Sequence, residues 1–198
     1  MSKQTKVKLL KEGARLIRMN GYAATGLSAI LKAADVPKGS FYYYFKSKED
    51  FGLELVDYLG AQINGAFEGY LCKEYSGTTI NRLKEFFSFF EEEFTTEEFP
   101  FGCPIGNLTQ ELAAIGEKFR HKLQPVFDEM YKCVAYSLQK AEEDGEIILP
   151  FPAEEMARFI INSWQGALVA LKVSNNSKPF KVFNEHVFGL LLKKIDNQ

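Results

Sequence analysis

With 198 residues and 46% hydrophobic content, the chain can bury a large core, either as one elongated domain or as a small domain joined to a larger one. Its net charge of −2 hides a split: residues 1 to 48 hold ten Lys and Arg against only Glu12 and Asp35, near +8, while the remaining 150 carry 14 basic and 24 acidic groups, near −10. A basic head on an acidic body predicts a polyanion partner at the head alone, and excludes one that coats the whole molecule.

Cys72, Cys103 and Cys133 are odd in number and lack paired metal-ligand spacing, and His121 and His186 lie far from any such pair. We therefore expect no disulfide frame, no metal and no cofactor. The first residues lack an apolar signal core, and no run approaches the roughly 18 to 20 apolar residues of a membrane span. The expected location is cytoplasmic, without a membrane partner.

The chain reads as all-α, with about nine helices, because apolar residues return every three or four positions between clusters of Gly and Pro. In the first helix Leu9, Leu10, Gly13, Leu16 and Ile17 share one face while Lys8, Lys11, Arg15 and Arg18 share the other. Gly13 on the packed face lowers helix propensity by roughly 1 kcal/mol relative to Ala, which predicts close approach of a neighbouring helix. Asn20 and Gly21 end this helix.

A second helix begins at Thr25 or Gly26 and runs to about Ala34, with Leu27, Ile30 and Leu31 inward. Asp35 to Pro37 form a tight turn. Pro37 then stands at the mouth of a third helix, whose first turn holds Lys38, Gly39 and Ser40. Free amides and the positive dipole end favour an anion there, and Gly39 lets a surface come close. The third helix also carries Tyr42, Tyr43 and Tyr44 without an acidic residue, which suits a phosphate-lined groove. Ser47 caps a long fourth helix with Glu49 and Asp50 in its first turn, where Lys48 is electrostatically misplaced and so suggests another role. Two short helices joined by a tight turn, then a capped long one, make residues 1–50 a helix-turn-helix DNA-binding domain and 51–198 a separate helical domain.

These residues resemble the TetR family of bacterial transcriptional regulators. Residues 9 to 53 carry the likeness: Gly21-Tyr22, Thr25, Ile30, Val36-Pro37-Lys38-Gly39 and Tyr42-Tyr43-Tyr44-Phe45, then Ser47-Lys48-Glu49. The resemblance implies an all-helical homodimeric repressor that binds double-stranded DNA and releases it when a small molecule enters the C-terminal domain. It further implies phosphate contacts from Thr25, Tyr42, Tyr44 and Lys48, and base or groove contacts from Lys38, Gly39, Ser40 and Tyr43. Leu27, Ile30, Val36, Phe41 and Phe45 would form the small core beneath. Gly26 stands where the family often has a hydroxyl residue and Tyr44 where it often has His. A looser likeness, Gly102-Cys103 followed by Asn107-Leu108, points to one branch of the family.

Six more elements follow in the body. The fourth helix continues through Leu55, Leu59, Ile63 and Phe67 to about Cys72, and Ser76-Gly77-Thr78 breaks the chain. Ile80, Leu83, Phe86, Phe87, Phe90 and Phe94 line the fifth, which ends in Glu91, Glu92 and Glu93 as a solvated face. A loop at 95 to 104 holds Pro100, Gly102 and Pro104, and a short sixth helix spans about 105 to 115. The seventh places Leu123, Phe127, Met130, Val134, Leu138 and Ala141 on one stripe and stops at Asp144-Gly145. The eighth, about 153 to 172, interleaves Phe159, Ile160 and Trp164 with the small Ser163, Gly166, Ala167 and Ala170. The ninth, about 179 to 194, has an apolar arc wider than one neighbour needs, including Phe180, Phe183, Val187, Leu190 and Leu191. The last two helices are therefore expected to pair with their copies in a homodimer.

Phe86, Phe90, Cys103, Leu108, Phe127, Met130, Tyr131 and Trp164 are the candidate lining of a pocket for a small-molecule inducer, although each also fits plain core. Cys103, between Gly102 and Pro104 before a helix N-terminus, could be an electrophile or oxidant sensor, or a small buried residue. An enzyme is not expected, since Cys103 with His121 or His186 is the only nucleophile and base pairing and no local motif supports it. The rival reading is a non-inducible DNA-binding protein whose body only dimerises or contacts other proteins.

Overall fold

The computed structural model describes residues 3–73, 76–95, 102–174 and 176–192, with backbone alone at 94 and 95. Among these residues there are nine α-helices and no β-strand: α1 (Lys3–Asn20), α2 (Leu27–Ala33), α3 (Lys38–Tyr44), α4 (Lys48–Leu71), α5 (Thr79–Thr95), α6 (Pro104–Ile115), α7 (Glu117–Glu143), α8 (Ala153–Ser174) and α9 (Lys178–His186). The all-α expectation therefore stands, with boundaries close to those read from periodicity. Most of the expected 95–104 loop, Pro100 included, and the side chain of Phe94 lie outside the described residues.

Helix ends follow the residues that permit them. Gly21, at φ +84°, closes α1 with its N–H on the Ile17 carbonyl at 2.7 Å. Asp35, at φ +50°, plays the same part after α2, and the Val36 N–H reaches back to Leu31 at 3.0 Å. Gly145, at φ +69°, ends α7 where expected, and the Glu146 N–H bonds the Ala141 carbonyl at 2.8 Å. The ninth helix differs from its expected single run to about residue 194. Regular α-helix stops at His186 and a π-helical turn, Val187–Leu191, follows, with the Leu192 N–H on the Val187 carbonyl at 2.8 Å. That extra residue in the turn brings Leu192 inward, where it is buried; residues 193 and 194 lie outside the described part.

The chain divides into two compact units: residues 1–63 with 104–126, and residues 64–103 with 127–198. A boundary at residue 50 is thus displaced. The reason is covalent and apolar at once, because α4 and α7 each pass through both units and α6 returns to the first.

In the first unit, Phe41, Phe45 and Phe51 form a fully buried aromatic cluster with ring centroids 5.1 to 5.8 Å apart. Leu9, Ile30 and Leu55 join this core. Leu27 and Val36, expected inside, are half-buried, while Leu31 is buried. Gly13 faces Phe51, and a Cβ there would collide with its ring, which accounts for a glycine in the middle of α1. Gly60 meets Val126 in the same way, at 2.6 Å from an added Cβ.

In the second unit the core joins α5, α8 and α9. Trp164 stacks on Phe180 at 4.8 Å and meets Phe87 and Phe183 edge-on, each at 5.2 Å or close to it. Phe86 packs on Phe67 at 4.6 Å and on Phe90 at 4.9 Å. The Glu146 carboxylate accepts the N–H groups of Thr79 and Ile80, both at 2.8 Å, and so caps α5. Of the three acids ending α5, Glu92 and Glu93 are exposed as expected, but Glu91 is half-buried and accepts a hydrogen bond from Asn184 at 3.1 Å. Burial raises its pKa.

Candidate nucleic-acid interface

The Ser47 cap fixes where the head's last helix starts. Its Oγ accepts the Asp50 N–H at 3.0 Å, and the Asp50 carboxylate accepts the Lys46 N–H at 2.9 Å, so both turn ends are closed. Phe45 is thereby locked into the core, and α3 is left with one face inward and one outward. Phe41 and Ser40 are buried on the inner face. On the outer face Lys38, Gly39, Tyr42 and Tyr43 are exposed, Tyr42 by 60% and Tyr43 by 67%. Aromatic rings left that open on a seven-residue helix are not serving the core. Tyr44 is half-buried, with Tyr43 edge-on to it at 4.9 Å.

A Cβ at Gly39 would touch nothing within 4 Å, so no internal packing requires glycine there. Elsewhere on the head, Lys8, Lys11, Lys32 and Lys46 are exposed. Lys6 is instead paired with Glu54 at 2.8 Å and Arg15 with Glu12 at 3.0 Å. The sequence reading did not single out Lys46; its place between the core Phe45 and the cap Ser47 was the available signal.

Three of the expected DNA-contacting residues are placed differently. The Thr25 side chain is buried, its hydroxyl donates to the Gly21 carbonyl at 2.7 Å and its N–H bonds the same oxygen at 3.2 Å. Both donors are therefore spent closing the α1–α2 connection. Ser40 is buried because a helix with Phe41 inward turns its neighbour under as well. The Lys48 ammonium donates to the Ala23 carbonyl at 3.2 Å and lies 4.7 Å from the centroid of the Tyr22 ring. That contact explains a cation at the positive end of α4: it ties the helix to the α1–α2 connection.

Tyr22 completes this tie. Its hydroxyl donates to the Lys48 carbonyl at 2.7 Å and its ring meets Phe119 edge-on at 6.1 Å. Burial, with the Glu49 carboxylate second, pushes its pKa up to about 12.

An outward-facing second helix on a basic head suits a helix-turn-helix, and the comparisons with known proteins agree. Residues 9–55 match the family model for bacterial regulatory proteins of the tetR family, and residues 79–187 match the tetracyclin repressor-like C-terminal domain. The chain belongs to the TetR family of DNA-binding transcriptional regulators. It is 30% identical over 189 residues to the repressor DhaR of Mycobacterium sp. (strain GP1), covering 96% of this chain and 93% of that one. With the regulator AcuR of Cereibacter sphaeroides it shares 33% over 186 residues, 91% and 82% of the two chains. Among solved structures, the reduced form of NemR from E. coli superposes with a TM-score of 0.90 at 25% identity, covering 98% of this chain and 99% of that one. A regulatory protein TetR from Rhodobacter sphaeroides does so at 0.86 and 30%, covering 94% and 98%.

In this TetR-family chain, of the eight residues expected to line an inducer pocket, Leu108 belongs to the first unit and the other seven to the second. Leu108 is buried in the first unit, on the face of α6 that meets Ile17 and Leu55. Tyr131 lies on an outer cleft, with the Arg158 guanidinium 4.6 Å over its ring and its hydroxyl on Asn162 at 3.1 Å. Trp164 is spent against α9. Phe86 and Met130 are buried, and Phe90 and Phe127 half-buried, in the second unit. Cys103 is 6% exposed, in a turn where Lys172 comes within 3.3 Å of a Cβ added at Gly102. That burial fits a small packed residue better than an open reactive thiol. No helix among the described residues is long and apolar enough to cross a membrane.

Proposed function

We propose that the protein is a cytoplasmic repressor which binds an inverted-repeat operator as a homodimer and is released by a small molecule held in the second unit. The observation that carries the DNA contact is the outer face of α3, where Lys38, Gly39, Tyr42 and Tyr43 are exposed together without an acid. One helix-turn-helix reads few base pairs, so two heads about 34 to 36 Å apart are needed to read a repeat. Two relatives, DhaR and NemR, are named as repressors, which supports the direction of regulation.

Dimerisation rests on α8 and α9. Phe159, Val169, Val173, Val182 and Leu190 are exposed, and an apolar groove of about 520 Å³ runs over Gly166, Ala170 and Val182. Apolar surface of this kind is covered by a copy in a symmetric pair, and the small residues let the helices cross closely.

A ligand can release DNA only through its differential affinity for the two states of the dimer. The test is selection of genomic fragments bound by the purified protein, followed by release with candidate metabolites and sedimentation at micromolar concentration. Selective binding to an inverted repeat by a dimer, reversed by a metabolite, is the expected result. A dimer that binds such DNA and is released by no metabolite leaves the non-inducible reading. A monomer that ignores duplex DNA in dilute buffer overturns the proposal.

A further inference from the structure

Three cysteines with no sequence pairing are sorted by the fold, which brings two of them, Cys72 and Cys133, to one cleft. The C-terminal end of α4 is pinned to α7 by the Ser137 hydroxyl, which donates to the Leu71 carbonyl at 3.4 Å. Cys133 lies one helical turn before Ser137 on the same face of α7, and Cys72 follows Leu71 directly. The pinned end therefore brings Cys72 over Cys133. Both side chains line one cleft of about 990 Å³, where Cys72 lies near enough to Cys133 to push its pKa up. Cys72 is exposed, whereas Cys133 is 1% exposed. Glu129 places a carboxylate oxygen 3.8 Å from the Cys133 sulfur and also pairs with Lys132 at 3.3 Å.

We infer that Cys72 and Cys133 form a peroxide-responsive dithiol that closes to a disulfide between the end of α4 and α7. Each residue has a distinct place in the reaction. The exposed Cys72, as thiolate, attacks the outer oxygen of a hydroperoxide; the O–O bond breaks, an alcohol or water leaves, and Cys72 becomes a sulfenic acid. The Cys133 sulfur then attacks the Cys72 sulfur, the S–O bond breaks, and the Cys133 proton leaves with the hydroxide as water. Two thiols lose two electrons in all, and the peroxide oxygen gains them.

Burial, the Cys72 side chain and Glu129 all raise the Cys133 pKa, so this thiol stays protonated and out of reach of bulk oxidant until its neighbour is oxidised. Glu129 is placed to take this proton from Cys133 and hand it on to the departing hydroxide as the S–S bond forms. In a reducing compartment such a bond forms transiently and reports oxidant, which is the usual use of a disulfide there. The inference does not depend on DNA binding.

The test treats the reduced full-length protein with a small excess of hydrogen peroxide, alkylates it under denaturing conditions and maps its peptides. The expected result is a Cys72–Cys133 linked peptide, reversed by dithiothreitol, retained in Cys103→Ser and absent from Cys72→Ser. Because Cys72 is exposed, that variant keeps the fold intact even where Cys133→Ala does not. Oxidation of Cys72 to the sulfinic acid without a link overturns the inference, as does a link to Cys103 or one between two chains.

Discussion

Glu111 holds two consecutive amides of the connection after α1: one carboxylate oxygen accepts the Tyr22 N–H at 3.1 Å and the other the Ala23 N–H at 3.2 Å. The contact joins α6 to the α1–α2 connection across 89 residues of sequence. Removing the carboxylate with Glu111→Ala leaves two backbone donors without that acceptor, at about 1–3 kcal/mol of stability. Glu111→Gln keeps one acceptor oxygen and loses less. Urea denaturation followed by circular dichroism measures both, and an Ala variant as stable as the parent removes Glu111 from the head's framework.

The Thr25 hydroxyl faces inward, which separates two roles that the family likeness combines. Thr25→Val keeps the shape and deletes the hydrogen bond to the Gly21 carbonyl at 2.7 Å. The expected loss is about 1 kcal/mol of stability with the salt slope of DNA binding unchanged. A slope that falls by about one unit in this variant would instead mean that the hydroxyl turns outward to a phosphate.

Much of the fold was legible because helix periodicity and end residues are local signals. Gly21, Asp35-Val36-Pro37, Ser47 and Gly145 each stop or start a helix through their own backbone chemistry, and the structure uses all four. What was not legible is tertiary. Nothing in the spacing says that α6 returns to the head, that the Lys48 ammonium reaches Ala23, or that Trp164 is consumed by Phe180. The same limit applies to cysteines: Cys72 and Cys133 come to one cleft through the packing of the end of α4 on α7, which their spacing does not show.

Exposed tyrosine and half-buried lysine should separate in their effects on DNA. Tyr43→Ala removes an exposed ring from the reading face and is expected to change which sequences are preferred, with little loss of fold stability. Lys48→Ala removes a cation and its tie to Ala23 and Tyr22, so all DNA sequences should weaken together, with the salt slope flatter by about one unit or less. Binding titrations at several salt concentrations on specific and scrambled duplexes give both quantities. Equal loss of preference in the two variants would overturn this division.

Tyr22 makes the head sensitive to alkali. Its pKa in the fold, pushed up to about 12 from an ordinary 10.0, means that the folded state keeps its proton when the unfolded chain has lost it. The associated stability is complete below pH 10 and is lost as pH rises toward 12. Urea midpoints should therefore fall over that window in the parent. In Tyr22→Phe the fall attributable to this group should vanish, on top of a pH-independent loss of about 1 kcal/mol for the missing bond to the Lys48 carbonyl. Identical pH profiles in the two proteins would contradict the assignment.

Gly39 and Gly13 are helical glycines with opposite surroundings, so the same substitution should act in opposite directions. At Gly13 an added Cβ collides with the Phe51 ring, and the strain of roughly 1–3 kcal/mol outweighs the gain of about 1 kcal/mol in helix propensity. Gly13→Ala is therefore destabilising. At Gly39 an added Cβ meets nothing within 4 Å, so Gly39→Ala should raise stability by up to about 1 kcal/mol. Its only conflict is with whatever approaches from outside. If α3 lies against duplex DNA, the more stable Gly39→Ala protein binds its operator more weakly, because the methyl group fills the space that the glycine keeps open. Thermal melts paired with operator titrations read both effects, and a stabilised variant with undiminished affinity would place the DNA elsewhere on the head.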